Sequence, residues 1–264
     1  MHISASEFIL FCGDPAENVR KLSAVVPEIE LMIDGDAWDL DENGTWSKQI
    51  ESLKGFSVPF TVHPPAWDVN AAAPIKTIRD VATILNKKSV DLAAQLGANQ
   101  VVFHTGYYDG DSFFSKSRAK DFCYQQLESI LEAAKPHGIT VAFENIAGPA
   151  MTLFTQEEYI HALDGIDPSV KFLLDVGHAN MNGWDIPKVI ETLGHRIAGM
   201  HLHDNNGKGD AHLPMLRGTI DWENTFAAMK SSLSPDCILV MEYASGTPLS
   251  TLEEGKKLLL EKLS

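Results

Sequence analysis

Eight apolar, β-rich runs recur along the chain, and stretches of helical period separate them. The runs are HISASEF (2–8), EIELMI (28–33), VPFTVH (58–63), QVVFHTG (100–106), TVAFENI (140–146), KFLLDVGH (171–178), IAGMHLHD (197–204) and CILVMEY (237–243). Several are near-continuous hydrophobic segments, the pattern of strands buried on both faces. Residues 74–97, 120–138 and 222–233 carry apolar positions at helical spacing, and so does the final segment, 251–263. Gly97 and Gly138 stand where helix C-caps belong, and Thr155, just before Gln156–Glu158, stands as an N-cap. This repeated alternation predicts a parallel sheet covered by helices. The 264 residues match the roughly 250 that a (β/α)8 barrel takes. An open doubly wound sheet is the alternative, but no glycine-rich phosphate fingerprint follows any strand. No linker or low-complexity segment interrupts the chain, so residues 1–264 are read as one α/β domain, a (β/α)8 barrel.

Charge narrows the partners. Lys and Arg number 21 against 36 Asp and Glu, a net charge of −15, which disfavours nucleic acid unless cations gather locally. The densest basic stretch, Lys116, Arg118 and Lys120, reads as the outer face of a helix. No apolar run reaches the length of a membrane span, and the opening MHISASEFILFCGDPAEN lacks the basic start of a secretory signal. Cys12, Cys123 and Cys237 are scattered and odd in number, so neither a disulfide framework nor a thiolate zinc site is expected. A reducing cytoplasm fits this usage.

The chemistry concentrates at the C-terminal ends of the runs, where barrels of this kind place their active sites. His63 ends the third, His104 the fourth, Glu144 the fifth, Asp175 and His178 the sixth, His201 and His203 the seventh, and Glu242 the eighth. Any one of these alone is better explained as a hydrogen-bonded structural residue. Together, Glu144, Asp175 and Glu242 would repel one another at the barrel axis unless cations stood between them. Oxygen and imidazole donors without thiolates suit Zn²⁺, Mn²⁺, Co²⁺ or Fe²⁺ alike. In GMHLHDNNGKGDAHLP (199–214), His201 points inward, and His203 shares its parity as ligand, second-layer partner or substrate contact. Asp210 and His212 lie where a loop can reach back over the site, while Asp204 can equally hold the turn. Asp34, Trp67, Tyr107, Lys208 and Arg217 are candidate substrate contacts, and Tyr108 and Trp184 are further aromatics that follow strands. His137, His161 and His195 fall on helices or their ends and read as solvated.

The ordered series EIELMIDGDAWD, HPP, HTG, FEN, DVGH, HLHDN, GTIDW and MEY resembles the xylose isomerase-like TIM-barrel superfamily over nearly the whole chain. That superfamily holds sugar isomerases and epimerases and the endonuclease IV type of abasic-site nuclease. Resemblance to the sugar enzymes implies one metal on Glu144, Asp175, His201 and Glu242, with the two glutamates as an acid/base pair and His178 on substrate. Such a site deprotonates and reprotonates a sugar or sugar phosphate through an enediolate. Resemblance to endonuclease IV implies three zinc ions, on His63, His104 and Glu144; on Glu144, Asp175, His201 and Glu242; and on His178, Asp210 and His212. Three departures count against the nuclease: the acidic charge, loops after strands one to three that are short and poor in Arg and Lys, and HLHDN where its pattern looks more like HLNDS. One counts against a ketose 3-epimerase: no Arg follows His201 closely, leaving Lys208 or Arg217 to supply positive charge. The expectation is a sugar isomerase or epimerase that depends on a divalent metal, zinc or manganese foremost and one to three ions, and acts on a small-molecule substrate. A trinuclear phosphodiesterase and a non-catalytic metal-bearing barrel are the alternatives, and oligomeric state is left open.

Overall fold

In the computed structural model, which describes residues 1–11, 13–35, 38, 44–108, 110 and 114–264, the eight apolar runs form eight parallel strands. They close in sequence order, β1 to β8, into a barrel. The strands are β1 (His2–Ser6), β2 (Glu28–Met32), β3 (Phe60–His63), β4 (Gln100–His104), β5 (Thr140–Glu144), β6 (Val170–Asp175), β7 (Ile197–Leu202) and β8 (Ile238–Met241). Cys12 and the Asp36, Ala37 and Asp39 of EIELMIDGDAWD lie outside the described residues.

Among the described residues, nine α-helices surround the strands: α1 (Pro15–Ser23), α2 (Thr45–Leu53), α3 (Lys76–Leu96), α4 (Lys116–Ala134), α5 (Gln156–Ile160), α6 (Val176–Met181), α7 (Ile186–Leu193), α8 (Trp222–Ser232) and α9 (Ser250–Leu263). Helix punctuation follows the expected chemistry. Gly97 and Gly138 adopt the left-handed conformation at C-caps, and Thr155 forms a capping box with Glu158, an arrangement that stabilises a helix start by about 1 kcal/mol. The short helices α1, α2 and α5–α7 carry too few turns for their period to stand out in the sequence. None of the helices is long and apolar enough to cross a membrane.

Side chains alternate between the barrel interior and the helical layer. Outside the barrel, Phe143, Phe172 and Tyr159 pack ring against ring, and the Tyr159 hydroxyl donates to the carbonyls of Phe143 and Leu173. Inside, Val102, Ala142 and Leu173 form a separate, fully buried apolar layer. One inward step further along the same strands come His104, Glu144 and Asp175, so an apolar plug underlies the polar residues.

The sixth run departs from its sequence reading. β6 stops at Asp175, and residues 176–181 are helical. The cause is Asp175 itself: its Oδ1 accepts the backbone N–H of His178 at 2.7 Å and caps α6. His178 therefore sits in the first turn of a helix rather than at a strand end. After β7, Asp204 and Leu213 exchange both backbone hydrogen bonds, at 2.7 and 2.8 Å. The intervening loop is thus folded back over the barrel mouth, which returns Asp210 and His212 to the axis.

Candidate metal centre

The residues at the barrel mouth converge in three adjoining groups. In the first, the Nε2 atoms of His63 and His104 lie 3.0 Å apart, and Glu144 Oε2 is 2.8 Å from His104 and 3.8 Å from His63. The second surrounds His201 Nδ1, with Glu144 Oε1 at 3.1 Å, Glu242 Oε2 at 3.4 Å and Asp175 Oδ2 at 3.6 Å. In the third, Asp210 Oδ2 lies 3.1 Å from His178 Nε2 and 3.2 Å from His212 Nε2. Glu144 joins the first group to the second through its two oxygens.

Three of the histidines are held alike. His63, His178 and His212 donate Nδ1–H to the carbonyls of Pro64, Asn145 and Glu242, at 2.8, 2.8 and 2.9 Å. Each anchored ring thus turns Nε2 into the site, the arrangement that fixes tautomer and direction in metal-ligating histidines. His212 adopts a φ of 41°, a left-handed conformation that costs a residue with a Cβ roughly 1–2 kcal/mol. The loop holds it there regardless.

Electrostatics alternates across the site. Burial opposes the charge of Glu144, yet His104 and His201 hold its carboxyl well below the ordinary range. Asp175 is likewise buried, and His178 and His203 draw it down. Burial disfavours the imidazolium of His178, but Asp175 and Asp210 raise it well above the usual value. His201 is raised in the same way by Glu242, Glu30 and Glu144. His212, against burial, is pushed up to about 9 by Asp210 and Glu242.

These donors fit divalent ions. Two ligands about 2.0–2.2 Å from a tetrahedral ion stand roughly 3.3–3.6 Å apart; the separations within the three groups bracket that value. Glu144 Oε2 is buried without a hydrogen-bond partner, and the donor set is all carboxylate and imidazole.

The other predicted residues separate into those near the centre and those away from it. A cavity of about 140 Å³ opens onto the donors and is lined by Phe8, Met32, Ala66 and Trp67 opposite His63, His104, Glu144, His178, Asp210, His212 and Glu242. Trp67 packs on Phe8 and Phe11 at 5.8 and 4.9 Å, and Phe8 meets His212 edge-on at 5.0 Å. Asp34 accepts the backbone N–H of Ala66 and so holds that loop. Its carboxyl is raised by burial and drawn partly back, first by the Ala66 amide and then by His63. Tyr107 is tied by its backbone to Asn70, with its ring partly exposed. Lys208 is exposed on the loop. Arg217 is exposed beside a separate cavity with Tyr243 and Glu254, and Trp184 packs on Tyr159. Asp204 holds the turn, accepting Trp222 Nε1 at 2.7 Å and the amides of Asn205 and Ile220.

His203 is fully buried, with Nε2 3.0 Å from Asp175 Oδ2 and its ring stacked on His212 at 3.9 Å. Gly177 makes room for it: a Cβ there would stand 2.0 Å from His203 Cε1. Two functional candidates escape a reading confined to strand ends. Glu30, midway along β2, is fully buried with Oε1 2.9 Å from His201 Nε2. Phe8 lies in a 3-10 turn after β1. Glu30 left one signal, a charge between Ile29 and Leu31 in a strand expected to be buried on both faces.

The family described as xylose isomerase-like TIM barrel matches residues 28–262. The chain is 27% identical over 206 residues to the uncharacterized protein MJ1311 of Methanocaldococcus jannaschii, covering 74% of this chain and 70% of that protein. It is 27% identical over 222 residues to a probable endonuclease 4 of Mycobacterium leprae, covering 81% of each. Among solved structures, a D-tagatose 3-epimerase-like protein superposes with a TM-score of 0.81 at 23% identity, over 100% of this chain and 98% of that one.

Proposed function

The chain belongs to the xylose isomerase-like TIM-barrel family, and on that premise we propose that it is a metal-dependent hydrolase of phosphate esters with a multinuclear centre and a small substrate. One observation carries this reading: the donors form several overlapping groups rather than one, with His63, His104 and Glu144 on one side and His178, Asp210 and His212, joined by His203, on the other. A single-metal sugar site uses Glu144, Asp175, His201 and Glu242. It leaves His63, His104, Asp210 and His212 aimed at the same mouth without a task.

His63, His104 and Glu144 would hold one ion; Glu144, Asp175, His201 and Glu242 a second; and His178, Asp210 and His212 a third. Bound zinc or manganese would polarise a phosphoryl oxygen and lower the pKa of a coordinated water. The chain's own contribution is placement. Glu144 fixes the spacing of two groups from β5, and Asp175 couples α6 to the centre by capping the helix with one oxygen and facing the histidines with the other. Trp67 and Phe8 wall the opposite side and would offer a flat surface to a ring of the substrate. Among the described residues no Lys or Arg lines the cavity, and the chain carries −15. A duplex, whose binding rests on many neutralised phosphates, is therefore a poor partner compared with a single small ester.

The sugar isomerase or epimerase reading keeps one observation of its own: the four donors around His201 Nδ1 form a complete site by themselves. Glu144 and Glu242 would then be the acid/base pair and His178 a substrate contact.

Elemental analysis of untagged protein purified without chelator, with two activity assays, separates the readings. The hydrolase should carry close to three ions, cleave bis(4-nitrophenyl) phosphate or a phosphomonoester, and lose that activity on His63→Ala or Asp210→Ala. One ion, with solvent deuterium entering a ketose and exchange abolished by Glu144→Gln or Glu242→Gln, would replace it with the isomerase.

A further inference from the structure

We infer that Glu30 is a positioning residue for this centre, holding His201 so that its Nδ1 faces Glu144, Asp175 and Glu242. The inference rests on the metal-dependent reading above and adds to it a residue that is not a ligand in either site type.

Burial and pairing carry the argument. Glu30 lies in register with Ser6 on β1 and Thr61 on β3, inside the barrel and fully shielded from solvent. A carboxylate there is costly unless it is paired. Its Oε2 accepts the Thr61 hydroxyl at 3.1 Å. Among the described residues the one basic group within 4 Å of it is His201, whose Nε2 stands 2.9 Å from Oε1. That separation suits a charge-assisted hydrogen bond, although the angle does not yet align and both atoms are otherwise unpartnered.

The contrast with the neighbouring histidines gives the pairing its meaning. His63, His178 and His212 anchor Nδ1 on backbone carbonyls and turn Nε2 inward. His201 is reversed. It turns Nδ1 toward three carboxylates and directs Nε2 down the barrel, where the side chain of Glu30 stands in place of a carbonyl. A proton held on Nε2 leaves Nδ1 with its lone pair, and an anionic acceptor makes that nitrogen a stronger donor than a carbonyl would. Partners of this kind typically account for about 10–100-fold in metal affinity.

The test compares Glu30→Gln and Glu30→Ala with wild type in two measurements. Zn²⁺ affinity is read by competition with a chromophoric chelator, and the thermal midpoint is read on metal-free protein. Expected is about 10-fold weaker binding for Gln, which keeps an acceptor but not the charge, and about 100-fold weaker for Ala. The metal-free midpoint of Glu30→Gln should equal or exceed that of wild type, since a buried charge has been removed. Wild-type affinity in Glu30→Gln, or a loss matched by a proportionate fall in its metal-free midpoint, would overturn the inference. Should Glu30→Ala fail to fold, Glu30→Gln decides alone. A wild-type protein that binds no Zn²⁺ would remove the reading of the centre and this inference with it; tight wild-type binding unchanged in the variants would remove the inference alone.

Discussion

Gly177→Ala should be destabilising in this protein and stabilising once His203 has been truncated. The methyl group would fall 2.0, 2.4 and 2.6 Å from Cε1, Nδ1 and Nε2 of the His203 ring, where ordinary carbon contacts are about 3.5–4.0 Å. The ring has little room to retreat, because His212 stacks on it at 3.9 Å and Asp175 sits on its Nε2 at 3.0 Å. Overpacking of this kind costs about 2–3 kcal/mol, and the displaced ring would also leave Asp175. Gly177 lies in the first turn of α6, so with the ring gone alanine should recover a helix preference of up to about 1 kcal/mol over glycine. His203→Ala alone should cost about 2–3 kcal/mol, from the cavity and the lost partner of Asp175. The double variant should therefore be no less stable than His203→Ala, a coupling of about 3 kcal/mol. Urea unfolding of the four metal-free proteins at constant pH measures the cycle. Additive costs, or a Gly177→Ala protein as stable as wild type, would refute the steric account.

Three further expectations can be checked on the same preparations. In metal-free protein the imidazole of His212 is raised from 6.5 to about 9, against burial, by Asp210 and Glu242. The stability from its protonation is complete below pH 6.5 and is lost as pH rises through 9, a fall of about 2–3 kcal/mol that His212→Gln should abolish in melts from pH 6 to 10. Glu7, outside the centre, is raised from 4.5 to about 7 by burial despite hydrogen bonds from Asn18 and Met32. Wild type should lose stability between pH 4.5 and 7 as the unfolded chain ionises first, so the advantage of Glu7→Gln should widen by about 2–3 kcal/mol between pH 4 and 8; a constant gap in denaturant midpoints would sink this. Asp204→Ala should cost about 2–4 kcal/mol, since it strands the buried Trp222 indole N–H and two loop amides. It should also weaken metal binding, because that turn carries Asp210 and His212.

The sequence reading succeeded where the signal is local and repeated. Strand runs, their spacing and the glycine C-caps each follow from short-range chemistry, and all eight strands stand where the apolar runs predict. Parity along β7 placed His201 inside, and Asp204 proved to be the turn anchor. The misses arise where one residue serves two elements. Asp175 ends a strand and caps a helix in the same stroke, so DVGH reads as strand although its last residues are helical. Glu30 escapes a reading that looks for chemistry at strand ends. Its partner His201 is 171 positions away in sequence, and the register that joins them is a property of the closed barrel. Lys208 and Arg217 carry charge near the right motif in sequence, but the fold places both at the exposed surface.

Charge balance at the barrel mouth bears directly on what the centre binds. Glu30, Glu144, Asp175, Asp210 and Glu242 bring their carboxylates to one short stretch of the axis, answered, among the described residues, by six imidazoles and no Lys or Arg. In the metal-free state protons on His178, His201 and His212 separate these carboxylates, which is why those imidazoles are raised while Glu144, Asp175 and Asp210 are lowered. Divalent ions would displace these protons. A single ion leaves most of the carboxylate charge to be met by the remaining imidazolium protons, and such a site has little to offer an anion. Three ions exceed the carboxylates and leave the mouth locally positive on a chain of strongly negative net charge. The reversal would be confined to a cavity of about 140 Å³, walled on its far side by Trp67 and Phe8. One phosphate group with a ring attached suits both the charge and the walls, whereas a polyanion would meet the acidic surface beyond them.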